Sequence, residues 1–327
     1  MTPLLTLHAY SLPMALPFRG ITTREGVLVH GSAGWGEFSP FLDYPDNTTG
    51  PWWDAAVEAA TLPFPAPLRD AIPVNVTIPA VEPELAAAIV RKSGGCGTAK
   101  VKVAGPGDTV ESEASRLAAV RGALGASGAI RIDANGAWDL ETAADRLLRL
   151  DRAAGGLEYA EQPCSDTADL ARLRRRTPVP IAADESIRGA RDPLEVARLE
   201  AADIVVMKVQ PLGGVRACLA LAEEIGLPVV VSSALETSVG MAAGLALAAA
   251  LPTLPFACGL ATAALLGADA VASPLVPGVG AAPGFLPVGR VTPDNLPAIA
   301  ADDETTSRWE ARVAGARVAS ADSMPNG

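Results

Sequence analysis

Five residues that can do chemistry end successive apolar runs of this chain. Asp133, Glu161 and Asp184 close three consecutive runs, and a lysine closes the run before them (Lys102) and the run after them (Lys208). A charged side chain at the tip of a buried strand is costly unless it is paired or bound to a metal. The order therefore indicates one site, in which three oxygen ligands for a hard cation lie between two amines that can act as acid or base.

The elements that would carry these residues are short and evenly spaced. Strand-like runs recur every 23 to 31 residues, and helix-like stretches fill the gaps. Eight strand–helix units of this kind close into a (β/α)8 barrel of parallel strands. An open doubly wound sheet is the alternative, and it is disfavoured because no GxGxxG follows the first run. The eight runs are IPVNVTI (72–78), TAKVKV (98–103), AIRIDA (129–134), LEYAE (157–161), PIAAD (180–184), DIVVMK (203–208), PVVVSS (228–233) and PFACG (255–259).

The sequence on either side of these runs predicts a small α+β capping domain built from both termini. Residues 1–70 hold short strand-like runs and a helix from about Trp52 to Thr61. Residues 71–283 form the barrel, and residues 284–327 return to the capping domain. From about Ala316 onward the tail is expected to be disordered.

Composition excludes several classes of function. A net charge of -11 argues against nucleic acid or an anionic membrane as partner. Only two histidines exist, His8 and His30, which argues against histidine catalysis and His-rich metal sites. The four cysteines form no CxxC pair and are expected to be small buried residues in a reducing cytoplasm. The longest apolar helix candidate, 239–251, is too short to span a bilayer, so we expect a cytoplasmic protein, with its oligomeric state left open.

A barrel would bring the five charged residues to one place. Active sites of such barrels lie at the carboxyl ends of the strands. The carboxylates end runs three to five, which are neighbours, and the lysines end runs two and six, which face each other across the mouth. Carboxylates without histidine suit Mg²⁺, with Mn²⁺ as an alternative. Lys100 shares a strand face with Lys102, and its charge is predicted to favour the free amine of Lys102.

Other interpretations of single residues remain open. A lone Asp at a strand end is most often a turn residue or a helix cap, although three on consecutive strands are hard to explain that way. Glu185 is an alternative third ligand to Asp184, but adjacent side chains diverge, so we expect Glu185 to face away or to support Lys208 from behind. Asn135 fits a turn residue and a contact behind the ligands equally well.

Five segments of the chain resemble motifs of a known family. The segments TAKVKV, RIDANGAW, EYAEQP, AADES and VVMKVQPLGG resemble the enolase superfamily, in the muconate-lactonising-enzyme subgroup with its KxK motif. The resemblance covers nearly the whole chain. Within the subgroup, FRGITTREGVLVHGSAGWGEFSPFLDYPD and SSALETSVG resemble the o-succinylbenzoate synthase family of actinobacterial type. That family dehydrates 2-succinyl-6-hydroxy-2,4-cyclohexadiene-1-carboxylate to 2-succinylbenzoate during menaquinone synthesis.

The resemblance implies a role for each motif residue. Asp133, Glu161 and Asp184 would bind Mg²⁺. Lys102 would remove the proton alpha to the ring carboxylate and protonate the departing hydroxyl on the same face, while Lys208 would stabilise the enediolate from the other side. The capping domain would supply a loop that closes over the substrate. The residues implied to contact the substrate are Phe18, Arg19, Ser232, Ser233, Gly259 and Leu260.

The motifs alone do not separate this dehydratase from an N-acylamino-acid racemase or a dipeptide epimerase, because two facing lysines serve racemisation equally well. An epimerase would usually carry an acidic element after run eight to hold the substrate's ammonium. Here the stretch ACGLATAALLGAD has only Asp269, far downstream of the run, which favours the synthase. A Schiff-base aldolase using Lys208 leaves the carboxylates without a role, and a non-catalytic barrel leaves every one of these groups unexplained.

Overall fold

The computed structural model describes residues 4–18, 20–190 and 192–323. Its N-terminal part is a three-stranded antiparallel sheet in the order β1-β2-β3. A helix, α1, packs on this sheet through two tryptophans and several alanines. Its start lies within two residues of the predicted one, and a proline in its first turn explains why it begins there. These elements are β1 (Thr6–Phe18), β2 (Ile21–Gly31), β3 (Gly34–Phe38) and α1 (Gly50–Thr61).

The middle of the chain alternates short strands with helices, as the spacing of the apolar runs predicted. Seven of the strands form one parallel sheet in the order β11-β10-β9-β8-β7-β6-β5. Side chains of Thr or Asp cap the first turns of α3, α4, α5 and α9. The elements are β4 (Ala71–Pro73), β5 (Val76–Ile78), α2 (Pro83–Arg91), β6 (Thr98–Lys102), α3 (Val110–Leu124), β7 (Ala129–Asp133), α4 (Leu140–Ala154), β8 (Tyr159–Glu161), α5 (Thr167–Arg174), β9 (Ile181–Ala183), α6 (Glu185–Arg188), α7 (Glu195–Arg198), β10 (Ile204–Met207), α8 (Val215–Ile225), β11 (Val229–Val231) and α9 (Ser238–Ala250).

The eighth apolar run closes the barrel without forming a strand of its own. Cys258 bridges Val74 on one edge of the sheet, and Gly259 bridges Ser232 on the other. The backbone N–H of Cys258 donates to Pro73 O at 2.7 Å, and that of Gly259 donates to Val231 O at 2.8 Å. The run is too short for a longer ladder, yet it pairs with both edges. The predicted fold class, a (β/α)8-type barrel with a small α+β capping domain, is confirmed.

The C-terminal segment departs from the sequence prediction in two ways. It first adds β12 (Phe285–Pro287), which pairs antiparallel with β4, before α10 (Leu296–Ile299) and α11 (Asp303–Ser323) return to the capping sheet. The expected disorder from about Ala316 is wrong for the part of the tail that the structure describes, because α11 continues through it. Trp309, Val313 and Ala316 are buried with α1 and the capping sheet, and this packing stabilises a helix that its weak periodicity did not reveal.

The core has one large cluster between the barrel strands and their surrounding helices, and smaller clusters beneath the capping sheet. Cys96, Cys164, Cys218 and Cys258 are buried free thiols, as predicted. None of the described helices combines the length and the apolar content that a membrane crossing requires.

Candidate active site

The predicted site residues lie at the carboxyl ends of five neighbouring strands. Lys102 and Asp133 end β6 and β7, where they are in register, and Asp133 is in register with Glu161 at the end of β8. Asp184 directly follows β9, and Lys208 directly follows β10. The five residues are separated in the chain by intervals of 31, 28, 23 and 24 positions. Parallel pairing of the strands brings them to one end of the barrel.

Two lysines approach the row of carboxylates from its opposite ends. Lys102 Nζ lies 2.6 Å from Asp133 Oδ2, and Lys208 Nζ lies 2.6 Å from Asp184 Oδ2. The strands β7, β8 and β9 stand between their two strands in the sheet. The only other lysines in the chain are Lys100, which belongs to this site, and Lys92, which is exposed at the end of α2. Such a concentration of amines points to chemistry at this end of the barrel.

Lys100 lies deeper than Lys102 and binds two carboxylates. Its Nζ is 2.8 Å from Glu161 Oε1 and 3.2 Å from Asp133 Oδ2. Burial lowers the pKa of such an amine, but the charges of Glu161 and Asp133 outweigh burial and raise the pKa of Lys100 above its ordinary value. Lys100 therefore stays an ammonium. Its predicted effect on Lys102 stays a prediction.

The three carboxylates are buried side by side, which makes them repel one another. Burial and the charge of Asp133 raise the pKa of Glu161 to about 7. Burial also acts to raise the pKa of Asp133, but Lys102 and Lys100 hold it well below its usual range. The positive charges of the lysines therefore outweigh the effect of burial at Asp133, whereas at Glu161 they do not.

The donor set fits a divalent metal. Glu161 Oε2 is buried and has no hydrogen-bond partner among the described residues, and a buried carboxylate oxygen without a donor is rare unless a cation meets it. Within the described ranges, no three Asp, Glu, His or Cys side chains are gathered at metal-binding distances. The ammonium of Lys100 instead stands between Asp133 and Glu161.

Asn135 and Glu185 connect the two ends of the site. Asn135 has a left-handed backbone (φ 48°), as a turn Asn often does. It also accepts a hydrogen bond from Lys102 Nζ at 2.7 Å and donates one to Glu185 Oε1 at 3.1 Å. The alternative in which Glu185 faces away is wrong, because this residue begins α6 and the helical turn directs its side chain back to the pocket.

Arg188 is a site residue that the sequence analysis missed. Its Nε donates to Asp184 Oδ1 at 3.0 Å, and its Nη2 donates to Glu185 Oε1 at 2.5 Å. Its Nη1 donates to the hydroxyl of Tyr44 in the capping domain. An arginine four residues after an acid at a helix start was the available signal, since i and i+4 side chains meet on a helix. Arg188 thus holds the carboxylates of Asp184 and Glu185 and connects them to the capping domain.

A pocket of about 390 Å³ opens over these residues. Part of its lining is aromatic and comes from the capping domain. Three residues with hydroxyl groups also line it, Ser232, Ser233 and Thr262, which we call the hydroxyl wall. Thr262 was missed because nothing in the sequence around it marks a site. The aromatic residues are Phe18, Phe41, Tyr44 and Trp52.

The residues implied to contact the substrate fall into three groups. Ser232, Ser233 and Gly259 line the pocket, and Phe18 lines it with its ring centre 5.8 Å from Lys102 Nζ. Leu260 does not, which corrects the expectation. Its side chain belongs to the core between barrel and helices, because successive residues of a run point to opposite sides. Arg19 lies outside the described residues.

Asp269, the acid that follows the eighth run, is occupied elsewhere. Its carboxylate accepts hydrogen bonds from the backbone N–H and the hydroxyl of Ser238, at 3.1 and 2.8 Å, and so caps the start of α9. It is buried and does not line the pocket. An ammonium of a substrate in the pocket would not meet this acid.

Comparison with known proteins gives a consistent result. Residues 83–284 match the domain described as Enolase C-terminal domain-like, and residues 9–60 match Enolase N-terminal domain-like. The o-succinylbenzoate synthase of Thermobifida fusca (strain YX) is 58% identical over 96% of this chain and 97% of its own length. That of Mycobacterium leprae (strain TN) is 50% identical over 94% of this chain and 90% of its own length.

A solved structure shares the fold at much lower identity. The dipeptide epimerase from Enterococcus faecalis V583, complexed with Mg and the dipeptide L-Leu-L-Tyr, is 21% identical to this chain with a TM-score of 0.74. The alignment covers 90% of this chain and 99% of that chain. The likeness therefore includes both the barrel and the capping domain.

Proposed function

The chain belongs to the enolase superfamily, and from this premise we propose that it dehydrates 2-succinyl-6-hydroxy-2,4-cyclohexadiene-1-carboxylate to 2-succinylbenzoate. The observation that carries the proposal is the identity of 58% to an o-succinylbenzoate synthase over nearly the full length of both chains. The site supports it, because the amines of Lys102 and Lys208 stand at opposite ends of a row of carboxylates. The buried free thiols support a reducing, cytoplasmic setting.

We propose Mg²⁺ as the metal, held by Asp133, Glu161 and Asp184. The unpartnered oxygen of Glu161 supports this assignment, and so does the choice of oxygen ligands without histidine. When bound, the ion supplies positive charge that stabilises the carboxylate of the substrate as its adjacent C–H loses a proton. Lys100 would neutralise the remaining charge of the carboxylates from below.

The side chains divide the reaction between the two faces of the ring. Lys102, as the free amine, takes the proton alpha to the carboxylate, and the electron pair of the broken C–H bond forms the new ring double bond as the C–O bond breaks. The same amine, now protonated, returns its proton to the departing hydroxyl, which leaves as water. Lys208 stabilises the negative charge that develops on the carboxylate oxygens. Superfamily members are known to pair a lysine base with Mg²⁺ in this way.

Asn135 and Arg188 keep these groups in place. Asn135 accepts from Lys102 Nζ and donates to Glu185 Oε1. Arg188 fixes one oxygen of Asp184 while Lys208 takes the other. Lys102 and Asp184 thus each have a neighbour that restricts their rotamers, which is the support that catalytic groups need.

A racemase or epimerase is the second candidate, since a dipeptide epimerase has the same fold and two facing lysines can exchange a proton on either side of a carbon. The position of Asp269 weighs against a substrate with a free ammonium, because this acid caps α9. Solvent deuterium incorporation separates the two. The epimerase reading predicts exchange into N-acyl amino acids or dipeptides at a rate above the turnover of the ring substrate.

The direct test is an assay of the ring substrate with Mg²⁺, followed by the absorbance of the aromatic product. We expect turnover that EDTA abolishes and that added Mg²⁺ or Mn²⁺ restores. Absence of product with metal present would overturn the proposal, whereas turnover insensitive to EDTA would overturn the metal assignment alone.

A further inference from the structure

Two buried charged residues of the capping domain bind the segment 234–240, which directly follows Ser233 of the hydroxyl wall. Arg24 and Glu37 are each 2% exposed and belong to β2 and β3. Neither lines the pocket. Removing a charged side chain from water costs free energy, so the burial of both residues calls for an explanation. Together with Ser39 they form what we call the docking cluster.

Arg24 binds the loop after β11 by its backbone. Its Nε donates to Leu235 O at 2.9 Å, and its Nη2 donates to Ala234 O at 3.2 Å. Its guanidinium also lies 4.5 Å from the ring centre of Phe41, an aromatic residue that lines the pocket. Arg24 therefore contacts both this ring and the loop after β11.

Glu37 binds the next segment, where α9 begins. Its carboxylate accepts from the backbone N–H of Thr237 at 3.1 Å, from the Thr237 hydroxyl at 2.5 Å and from the backbone N–H of Gly240 at 3.1 Å. A side chain at position 240 would not fit, since a Cβ there would lie 2.8 Å from Glu37 Oε2. A carboxylate of the capping domain thus caps a helix of the barrel.

Ser39 extends the docking cluster to the loop after β10. Its N–H donates to Gln210 Oε1 at 3.0 Å, and Gln210 Nε2 donates back to its hydroxyl at 3.1 Å. Gln210 lies two residues after Lys208. The docking cluster therefore holds the segments that follow both β10 and β11, which explains the Gln of the KVQP motif.

The loop it holds has a conformation that needs support. Leu235 has a φ of 67°, a left-handed value that a leucine rarely adopts without constraint from its surroundings. Ser233, in the same loop, accepts from Leu235 N at 2.7 Å and donates to Glu236 at 2.5 Å. A small shift at Leu235 would therefore move the hydroxyl wall.

We propose that Arg24 and Glu37 are positioning residues that set the hydroxyl wall and thereby determine the affinity for the side chain of the substrate. The inference rests on the proposed function for the identity of that side chain, the succinyl group. It predicts that the capping domain selects substrates through residues that never touch them.

Binding of two ligands with Mg²⁺ present tests the inference. 2-Succinylbenzoate carries the side chain, and benzoate keeps the ring and its carboxylate without it. We expect Arg24→Met to weaken binding of 2-succinylbenzoate about tenfold and binding of benzoate less than about twofold, because the hydrogen bonds lost to Leu235 and Ala234 hold the segment that follows Ser233. Thr237→Val should act in the same direction, and Thr237→Ser, which keeps the hydroxyl to Glu37, should restore wild-type affinity.

Arg69→Met is the matched control. Arg69 also donates to backbone carbonyls of α9 and the residue after it, those of Ala248 and Leu251, but at the far end of this helix. Its replacement should lower stability and leave the ratio of the two dissociation constants unchanged. An equal change of that ratio in the control would show a general effect of destabilisation and overturn the inference.

Hydrogen exchange gives a readout that does not depend on the substrate. The amides of Thr237 and Gly240 should exchange about tenfold faster in Arg24→Met or Thr237→Val than in wild type or in the control, because the docking cluster no longer protects them. Failure of the wild type to bind 2-succinylbenzoate would contradict the proposed function, and the exchange rates would still decide the positioning role. Unchanged exchange and an unchanged ratio of dissociation constants in both variants would overturn it. If Arg24→Met does not fold, the Thr237 pair decides.

Discussion

The charged residues at the ends of β6 to β10 and the hydroxyl wall after β11 face the same pocket, yet they are held by different means. The charged residues sit on strands and bind one another, with Lys102 2.6 Å from Asp133 and Lys208 2.6 Å from Asp184. Ser232 and Ser233 of the wall follow β11, and the capping domain binds the segment directly after them. The difference suggests that the chemistry belongs to the barrel, while selectivity depends on how the two domains fit together.

The largest effect should come from the base. Lys102→Ala should lower turnover of the ring substrate by about 10³-fold, the size expected for a lost general base, with unfolding still cooperative. Lys92→Ala is the control, since this exposed lysine ends α2 far from the pocket, and it should turn over normally. Normal turnover by Lys102→Ala would contradict the assignment of Lys102 as the general base, and with it the claim that the charged residues of the barrel carry out the chemistry.

The second-largest effect should be on metal binding. At a Mg²⁺ concentration about 100 times the dissociation constant, the wild type should gain about 2.7 kcal/mol in the free energy of unfolding. Glu161→Gln should lose most of this gain, because the substitution removes the negative charge and the buried carboxylate oxygen that we propose as a metal ligand. Glu111→Gln, on an exposed part of α3, should keep it. Thermal unfolding with and without Mg²⁺ measures both, and an undiminished gain in Glu161→Gln would refute its role as a ligand.

The third ligand can be decided by a matched pair. Asp184→Asn should lower the affinity for Mg²⁺ more than Glu185→Gln does. For Glu185→Gln we expect a loss of about tenfold, which is typical of a residue that hydrogen-bonds to the ligands without binding the metal. Calorimetric titration of each variant gives the order. The reverse order would assign the ligand role to Glu185 and leave Asp184 as the partner of Lys208 and Arg188.

The smallest effect should fall on the wall. Thr262 Oγ1 donates to Ser233 Oγ at 2.8 Å. Thr262→Val removes this one neutral hydrogen bond and should therefore weaken the binding of 2-succinylbenzoate by roughly threefold. Thr262→Ser should bind as the wild type does. A loss as large as that from Lys102→Ala, and seen in turnover instead of affinity, would erase the division between chemistry and selectivity.

The charged residues were predictable because charge at the end of an apolar run is rare and the strand period is regular. Lys102, Asp133, Glu161, Asp184 and Lys208 all come to one end of the barrel as their spacing predicted. Their roles as ligands and bases remain proposals, since the geometry shows placement only.

The missed features depend on contacts between distant parts of the chain. Arg24 binds carbonyls more than 200 residues away, and no local pattern announces such a contact. Gly259 and Leu260 were both expected to line the pocket. Because successive residues point to opposite sides, Gly259 lines the pocket and Leu260 packs into the core. The helix at 316–323 was missed because its stability comes from packing on the capping domain.

A crystal structure with Mn²⁺ and 2-succinylbenzoate, using the anomalous signal of manganese, tests the central claim most directly. We predict one ion bound by carboxylate oxygens of Asp133, Glu161 and Asp184, with the amines of Lys102 and Lys208 on opposite faces of the ring. An ion bound elsewhere, or both amines on one face, would contradict the account.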